Sequence, residues 1–134
     1  MKLLSKLCAS FALMFVMMNA NAFNKEAFTQ ERFDELQAAG AVVLIDVFAS
    51  WCPTCAKQQK AISDYAEANP DNTFHVLVVD FDDNKDIVRQ FRAPRQSTLL
   101  LYKGDKQFWF SVAESRPDVI AAELDKAINF KSKS

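Results

Sequence analysis

Apolar positions along this chain fall into two kinds of pattern, and their alternation predicts an α/β domain. Ala41-Val42-Val43-Leu44-Ile45-Asp46-Val47-Phe48 is a continuous apolar run interrupted by one carboxylate. A run without polar alternation suits a central strand covered on both faces. Thr73 to Asp80, with Phe74, Val76, Leu77, Val78 and Val79, predicts a second strand, and Ser97 to Tyr102 a third. Lys103-Gly104-Asp105 is a turn signal, and the alternating segment Gln107 to Val112 pairs back as a hairpin. A short first strand is expected within Phe23 to Phe28.

Helical signals fill the gaps. Thr29 is an N-cap, because its hydroxyl can accept from free N–H groups of a first turn. Phe28 and Phe33 flank it at the spacing of a hydrophobic staple. Gly40 ends that helix, where a left-handed residue is needed. Pro53 to Ala68 is a second helix, with Ile62, Tyr65 and Ala66 on one side and Pro70 beyond its end. Asp86 to Phe91 is a short third helix. Ser115 is expected to cap a last helix whose apolar stripe is Val119, Ile120, Leu124, Ala127 and Ile128. The economical assembly is a central mixed β-sheet flanked by helices on both faces.

The first 22 residues follow a different logic. A basic start (Lys2, Lys6), an apolar run from Leu7 to Met18 and the small-x-small site Ala20-Asn21-Ala22 form the layout of a secretory signal peptide. The apolar run is about 12 residues, well short of the ~20 that span a bilayer, so no stable membrane anchor is expected after cleavage. The chain thus divides into a signal peptide, 1–22, and a domain, 23–134, in the periplasm or otherwise exported. Cleavage after Ala22 removes Cys8 and leaves Cys52 and Cys55.

Composition narrows the function. Of 134 residues, 50% are hydrophobic and 25% charged, which excludes a disordered chain. The formal charge of −1 argues against nucleic acid as partner, since that needs a basic face. Asp80-Phe81-Asp82-Asp83 lacks the spaced ligands and glycine of an EF-hand loop, so it is taken as a solvated strand end. Arg89, Arg92 and Arg95 are a small basic patch close to Ser97. His75, the one histidine, has no triad pattern around it and is assigned to packing.

The chemistry lies in Trp51-Cys52-Pro53-Thr54-Cys55. The motif follows a buried strand and opens a helix. There the free N–H groups and the macrodipole favour a thiolate at Cys52, while Cys55 sits one turn deeper. That asymmetry suits thiol–disulfide exchange, with Cys52 attacking and Cys55 resolving. Two alternatives remain. A structural bridge over two residues closes a tiny loop and stabilises little. A structural zinc site needs four ligands, and only His75 joins the cysteines as a soft donor. The helix-terminal position favours redox use.

Three segments together, Val43 to Cys55, Val79-Asp80-Phe81-Asp82 and Ser97 to Gly104, resemble the thioredoxin family in order and spacing across nearly all of residues 23–134. The resemblance implies a thioredoxin fold and a redox-active Cys52–Cys55 disulfide exchanging with protein thiols and disulfides. It implies no organic cofactor, since the cysteine pair carries the electrons, and no residues are assigned to a metal site. Asp46 falls on the family's buried acidic position, which fits a carboxylate of raised pKa that moves the proton of Cys55. Trp51, Pro53, Thr54, Ser97 and Thr98 correspond to the substrate groove.

Three departures stand out. Ser97 occupies the place of the family's cis-proline, and a cis bond there would cost ~2.5–4 kcal/mol. A wider or more polar groove follows, with easier metal access. Val78 replaces the usual lysine beside the buried acid. Pro-Thr replaces the Gly-Pro between the cysteines. The resulting expectation is an exported monomeric oxidoreductase that reduces protein disulfides, re-reduced by a membrane thiol electron donor. The rival readings are the oxidising direction with the same pair, and a metal-handling module using Cys52 and Cys55.

Overall fold

The computed structural model describes residues 23–132; segment 1–22, expected from sequence to be a signal peptide, lies outside the described residues. Nine elements follow one another: β1 (Phe23–Ala27), α1 (Gln30–Ala38), β2 (Val42–Phe48), α2 (Pro53–Ala68), β3 (Phe74–Asp80), α3 (Lys85–Gln90), β4 (Thr98–Lys103), β5 (Lys106–Val112) and α4 (Pro117–Asn129). Five strands form one sheet in the order β1-β3-β2-β4-β5. β3 runs parallel to both β1 and β2, while β4 is antiparallel to β2 and to β5. This is the mixed sheet with helices on both faces that the hydrophobic pattern predicts.

β2 is the middle strand, and Val43, Leu44, Ile45, Asp46 and Val47 are wholly buried. Its alternate residues feed two cores. On one face Leu44 packs with Ile62 and Tyr65 of α2 and with Ile120 and Leu124 of α4. On the other, Val43, Ile45 and Val47 join Phe33 and Leu36 of α1 and Val88 of α3. Burying a Leu, Ile, Val or Phe side chain in this way stabilises the fold by about 1.5–3 kcal/mol each.

The local signals explain most of the boundaries. Thr29 accepts from the Arg32 N–H at 3.1 Å, and the Phe28 and Phe33 rings lie 5.8 Å apart as a staple. At the far end of α1, Gly40 at φ 68° lets its own N–H reach Gln37 O and the next N–H, of Ala41, reach Leu36 O. Those two bonds are the Schellman pair. The last helix departs from expectation, because Arg116 and not Ser115 is its N-cap, and no side chain of Arg116 caps it. Pro117 takes the first helical position and drives the residue before it into extended backbone. Arg116 sits at φ −72° and ψ 121°, so Ser115 falls one residue outside the helix. Glu114 serves instead, its carboxylate accepting from the Arg116 N–H at 3.0 Å.

The Gly40 turn yields a clean prediction. A Cβ added there meets nothing within 4 Å, so substitution carries only the conformational penalty of the left-handed region. Gly40→Ala should lower unfolding free energy by about 1 kcal/mol, and Gly40→Asn by less, because Asn tolerates this region. Urea denaturation of the three proteins checks the order.

Candidate functional site

The cysteine pair sits where the central strand runs out. After Phe48 the chain makes a tight turn, with the Cys52 N–H donating to Ala49 O at 3.1 Å. Cys52 is in extended backbone as the N-cap of α2, and Pro53, which lacks an N–H, opens the helix. The Cys52 sulfur accepts from the Cys55 N–H at 3.1 Å. Cys52 and Cys55 are bridged, with Cα atoms 5.3 Å apart, inside the normal disulfide range. They differ in reach: Cys52 keeps 6% of its surface and Cys55 none. Ala49, Phe48 and Phe81 pack around them.

Trp51 is 57% exposed at the rim, and its indole N–H donates to Asp82 at 2.7 Å. The sequence reading treats the Asp80–Asp83 stretch only as a solvated strand end. In fact Asp80 accepts from the Asp82 and Asp83 N–H groups, shaping a turn that aims Asp82 at Trp51. Pro53 is exposed and Thr54 half-buried on the outer side of the first turn of α2.

Ser97 and Thr98 reach this end of the sheet from the other side, since Thr98 pairs with Val47. Both are fully buried. The described residues contain no cis peptide bond, so the bond before Ser97 is trans, and Ser97 instead adopts φ 63°. Its polar groups all turn inward. Its N–H donates to Val47 O at 2.8 Å, its carbonyl accepts from Ala113 N–H at 2.9 Å, and its hydroxyl donates to Gln96 O. The Thr98 hydroxyl donates to Arg95 O. The more polar groove expected from serine is therefore absent, because the serine's polarity is consumed by the protein's own backbone. Of the neighbouring arginines, Arg89 pairs with Asp86, while Arg92 and Arg95 are exposed.

Ala113 adopts φ 60°. Two non-glycine residues in the left-handed region, hydrogen-bonded to each other, cost ~1–2 kcal/mol apiece. Beneath them lies Gln58 of α2, wholly buried, whose side-chain amide donates to Ser97 O at 3.0 Å and Glu114 O at 2.9 Å. Its own oxygen finds no partner among the described residues. Sequence reasoning missed this residue. The available signal was its place on the buried face of α2, in register with Cys55, Ile62 and Tyr65.

Asp46 is wholly buried in β2 opposite Val78, as the run of apolar neighbours implies. Burial pushes its carboxyl up to about 6, against weaker pulls downward from the Gln59 amide and from Lys25. Gln59 reaches one carboxyl oxygen at a long 3.5 Å, and the other has no partner among the described residues. A cavity of about 10 Å³, room for one water molecule, adjoins the carboxyl and is lined by Phe23, Lys25, Gln59, Ile62, Ser63 and Val76. The cation lost at Val78 has thus a counterpart one strand outward, on β1. No sequence signal placed Lys25 there, because the β1–β3 register depends on tertiary pairing. His75 is half-buried on β3, its pKa lowered by burial and by Arg32, and it lies away from the cysteines. Among the described residues no group of three or more His, Cys, Asp or Glu is arranged to hold a metal ion.

Comparison with known proteins agrees with this geometry. The thioredoxin family model matches residues 21–126. A thioredoxin of Chlamydia trachomatis is 32% identical over 98 residues, covering 73% of this chain and 93% of that protein. Thioredoxin-2 of Saccharomyces cerevisiae is 33% identical over 76 residues, 56% of this chain and 71% of that protein. Among solved structures, Trxlp from Edwardsiella tarda superposes with a TM-score of 0.70 at 34% identity, covering 75% of this chain and 98% of that one. With its bridged Cys-Pro-Thr-Cys turn at the end of the central strand of this sheet, the chain belongs to the thioredoxin family of thiol-disulfide oxidoreductases.

Proposed function

We propose that this chain is an exported oxidoreductase that reduces disulfides of protein substrates, with Cys52 as nucleophile, Cys55 as resolving thiol and Asp46 as the group that manages the proton. The observation that carries the reading is the Cys52 sulfur at the helix N-cap, accepting from the Cys55 N–H. A thiolate there is stabilised by that donor and by the helix macrodipole.

In the reduced protein the Cys52 thiolate attacks one sulfur of the target disulfide. A mixed disulfide forms and the target's other sulfur leaves as a thiolate. Cys55, deprotonated, then attacks Cys52, the Cys52–Cys55 bond forms, and the second target thiolate departs. Two electrons pass to the target and the enzyme ends oxidised. Asp46 faces α2 at Gln59, one helical turn beyond Cys55. With a pKa of about 6 it is mostly ionised at neutral pH, and so in the state that can take the Cys55 proton.

Export rests on the charged start, short apolar run and Ala20-Asn21-Ala22 site; intact mass of secreted protein beginning at Phe23 tests it. A membrane thiol donor follows as the source of electrons in an oxidising compartment. The reducing direction is tested by the reduction potential of the pair, which must lie below that of the disulfides it opens.

The division of roles predicts that Cys55→Ser accumulates mixed disulfides with substrate proteins, whereas Cys52→Ser does not. Non-reducing electrophoresis shows this directly, and equal trapping by the two variants would overturn the assigned roles.

Asp46 supplies a prediction with a definite sign. Its folded pKa lies above the ordinary value of 3.8, so between about pH 4 and 6 the native state holds a proton that the unfolded chain has lost. Stability therefore falls as pH rises through that window, by about 3 kcal/mol in total at ~1.4 kcal/mol per unit. Asp46→Asn should match the wild type near pH 4 and exceed it by about 1–3 kcal/mol at pH 7, while its turnover at pH 7 falls. Lys25→Gln removes a cation that favours the carboxylate. The acid limb of its pH–rate profile should move to higher pH, less so at high salt.

A further inference from the structure

Among the described residues the exposed large apolar side chains are Trp51, Phe110 and Val112, at 57%, 43% and 37%. Trp51 and Val112 lie on separate chain segments that reach the same end of the sheet, Val112 through its pairing with Thr98 and Thr98 through its pairing with Val47. What fixes one segment against the other is not a sheet bond alone. The β5–α4 connection begins with Ala113 at φ 60°, and the entry to β4 passes through Ser97 at φ 63°. Neither is glycine, so each segment would relax toward ordinary backbone if nothing held it. Both segments meet α2 through a single side chain, the buried amide of Gln58, which donates one hydrogen bond to each: to Ser97 O and to Glu114 O.

We propose that Gln58 is a positioning residue. Through its two-way bond it holds the Ser97 and Ala113–Glu114 turns in their strained conformations, and so sets the docking face for a protein disulfide above Cys52. Gln58 lies one turn of α2 past Cys55, so the bond fixes the face relative to the exchanging pair itself. The arrangement gives a fully buried polar side chain a role, because its two donors bridge two segments that an apolar residue could not join. It also explains the absence of conformational escape at Ser97, whose carbonyl is gripped from two sides by Gln58 and by the Ala113 N–H.

The assignment rests on Cys52–Cys55 exchanging with protein disulfides, and the experiment separates the two ideas. Insulin reduction with dithiothreitol as electron source is measured for the wild type, Gln58→Met, Ala113→Gly and the double variant. A wild type inactive on insulin overturns the functional reading; the positioning role is judged on an active wild type. Gln58→Met should raise KM about tenfold with kcat changed less than about twofold, since binding geometry is disturbed and the thiols are not. In the Ala113→Gly background one of the two turns is no longer strained and only Ser97 still needs the Gln58 bond, so the same substitution should raise KM by only about threefold or less. An equal rise in both backgrounds, a loss confined to kcat, or no rise at all overturns the proposal. If Gln58→Met does not fold alone, it must fold once Ala113→Gly is present; failure in both backgrounds overturns it equally.

Discussion

The pairing of β2 on both of its edges is the constraint from which the site follows. With β3 parallel on one side and β4 antiparallel on the other, residues 43–47 of the strand are paired on both edges. Its last residues therefore arrive at one fixed place. The turn that carries Trp51 and Cys52 starts from there, and so does the bond from Ser97 N–H to Val47 O that brings the opposite wall into line. A rigid strand end, a helix start and a second strand entry meet at one point, which is the arrangement that a precise exchange of sulfur partners needs.

The wholly buried polar side chains gather near this point. Among the described residues the fully buried polar side chains are Asp46, Gln58, Ser97 and Thr98. Asp46 abuts the helix that begins with the cysteines, and the other three lie in or under the turn facing it. Two left-handed non-glycine residues fall in the same small region. Polar burial and backbone strain both oppose folding, and their concentration at one end of a well-packed sheet is how proteins commonly accommodate a working site. The two large cores on either side of the sheet supply the surplus that makes this tolerable.

Much of this was legible in the chain. Strands rich in Val, Ile and Leu, the Thr29 cap and the Gly40 stop mark their elements because each acts through local backbone chemistry. The burial of Asp46 was legible from its neighbours, and the cysteine pair from its spacing. What escaped depends on contacts between distant segments. Lys25 faces the Asp46 cavity only because β1 pairs with β3, and Gln58 meets Ser97 and Glu114 across 39 and 56 positions. The trans bond at Ser97 and its inward-turned hydroxyl follow from a turn whose geometry no single residue announces. Ser115 lost its capping role to a local rule after all, the demand that Pro117 makes on the residue before it.

The sheet order also bears on how the chain finds its fold. β4 and β5 are joined through Gly104 and Asp105, so their hairpin closes with little loss of chain entropy. β2 meets β3 across about 30 residues and β4 across about 50–60, and such loops must close before their contacts repay the entropy. The hairpin with α4 against it is the part of the molecule able to form early and locally. By loop-closure entropy the neighbours of the central strand, and with them the surroundings of Asp46 and Gln58, are the more costly part to bring together. A chain in that half-built condition would already carry both cysteines, but not yet the packed walls that give the two sulfurs different surroundings.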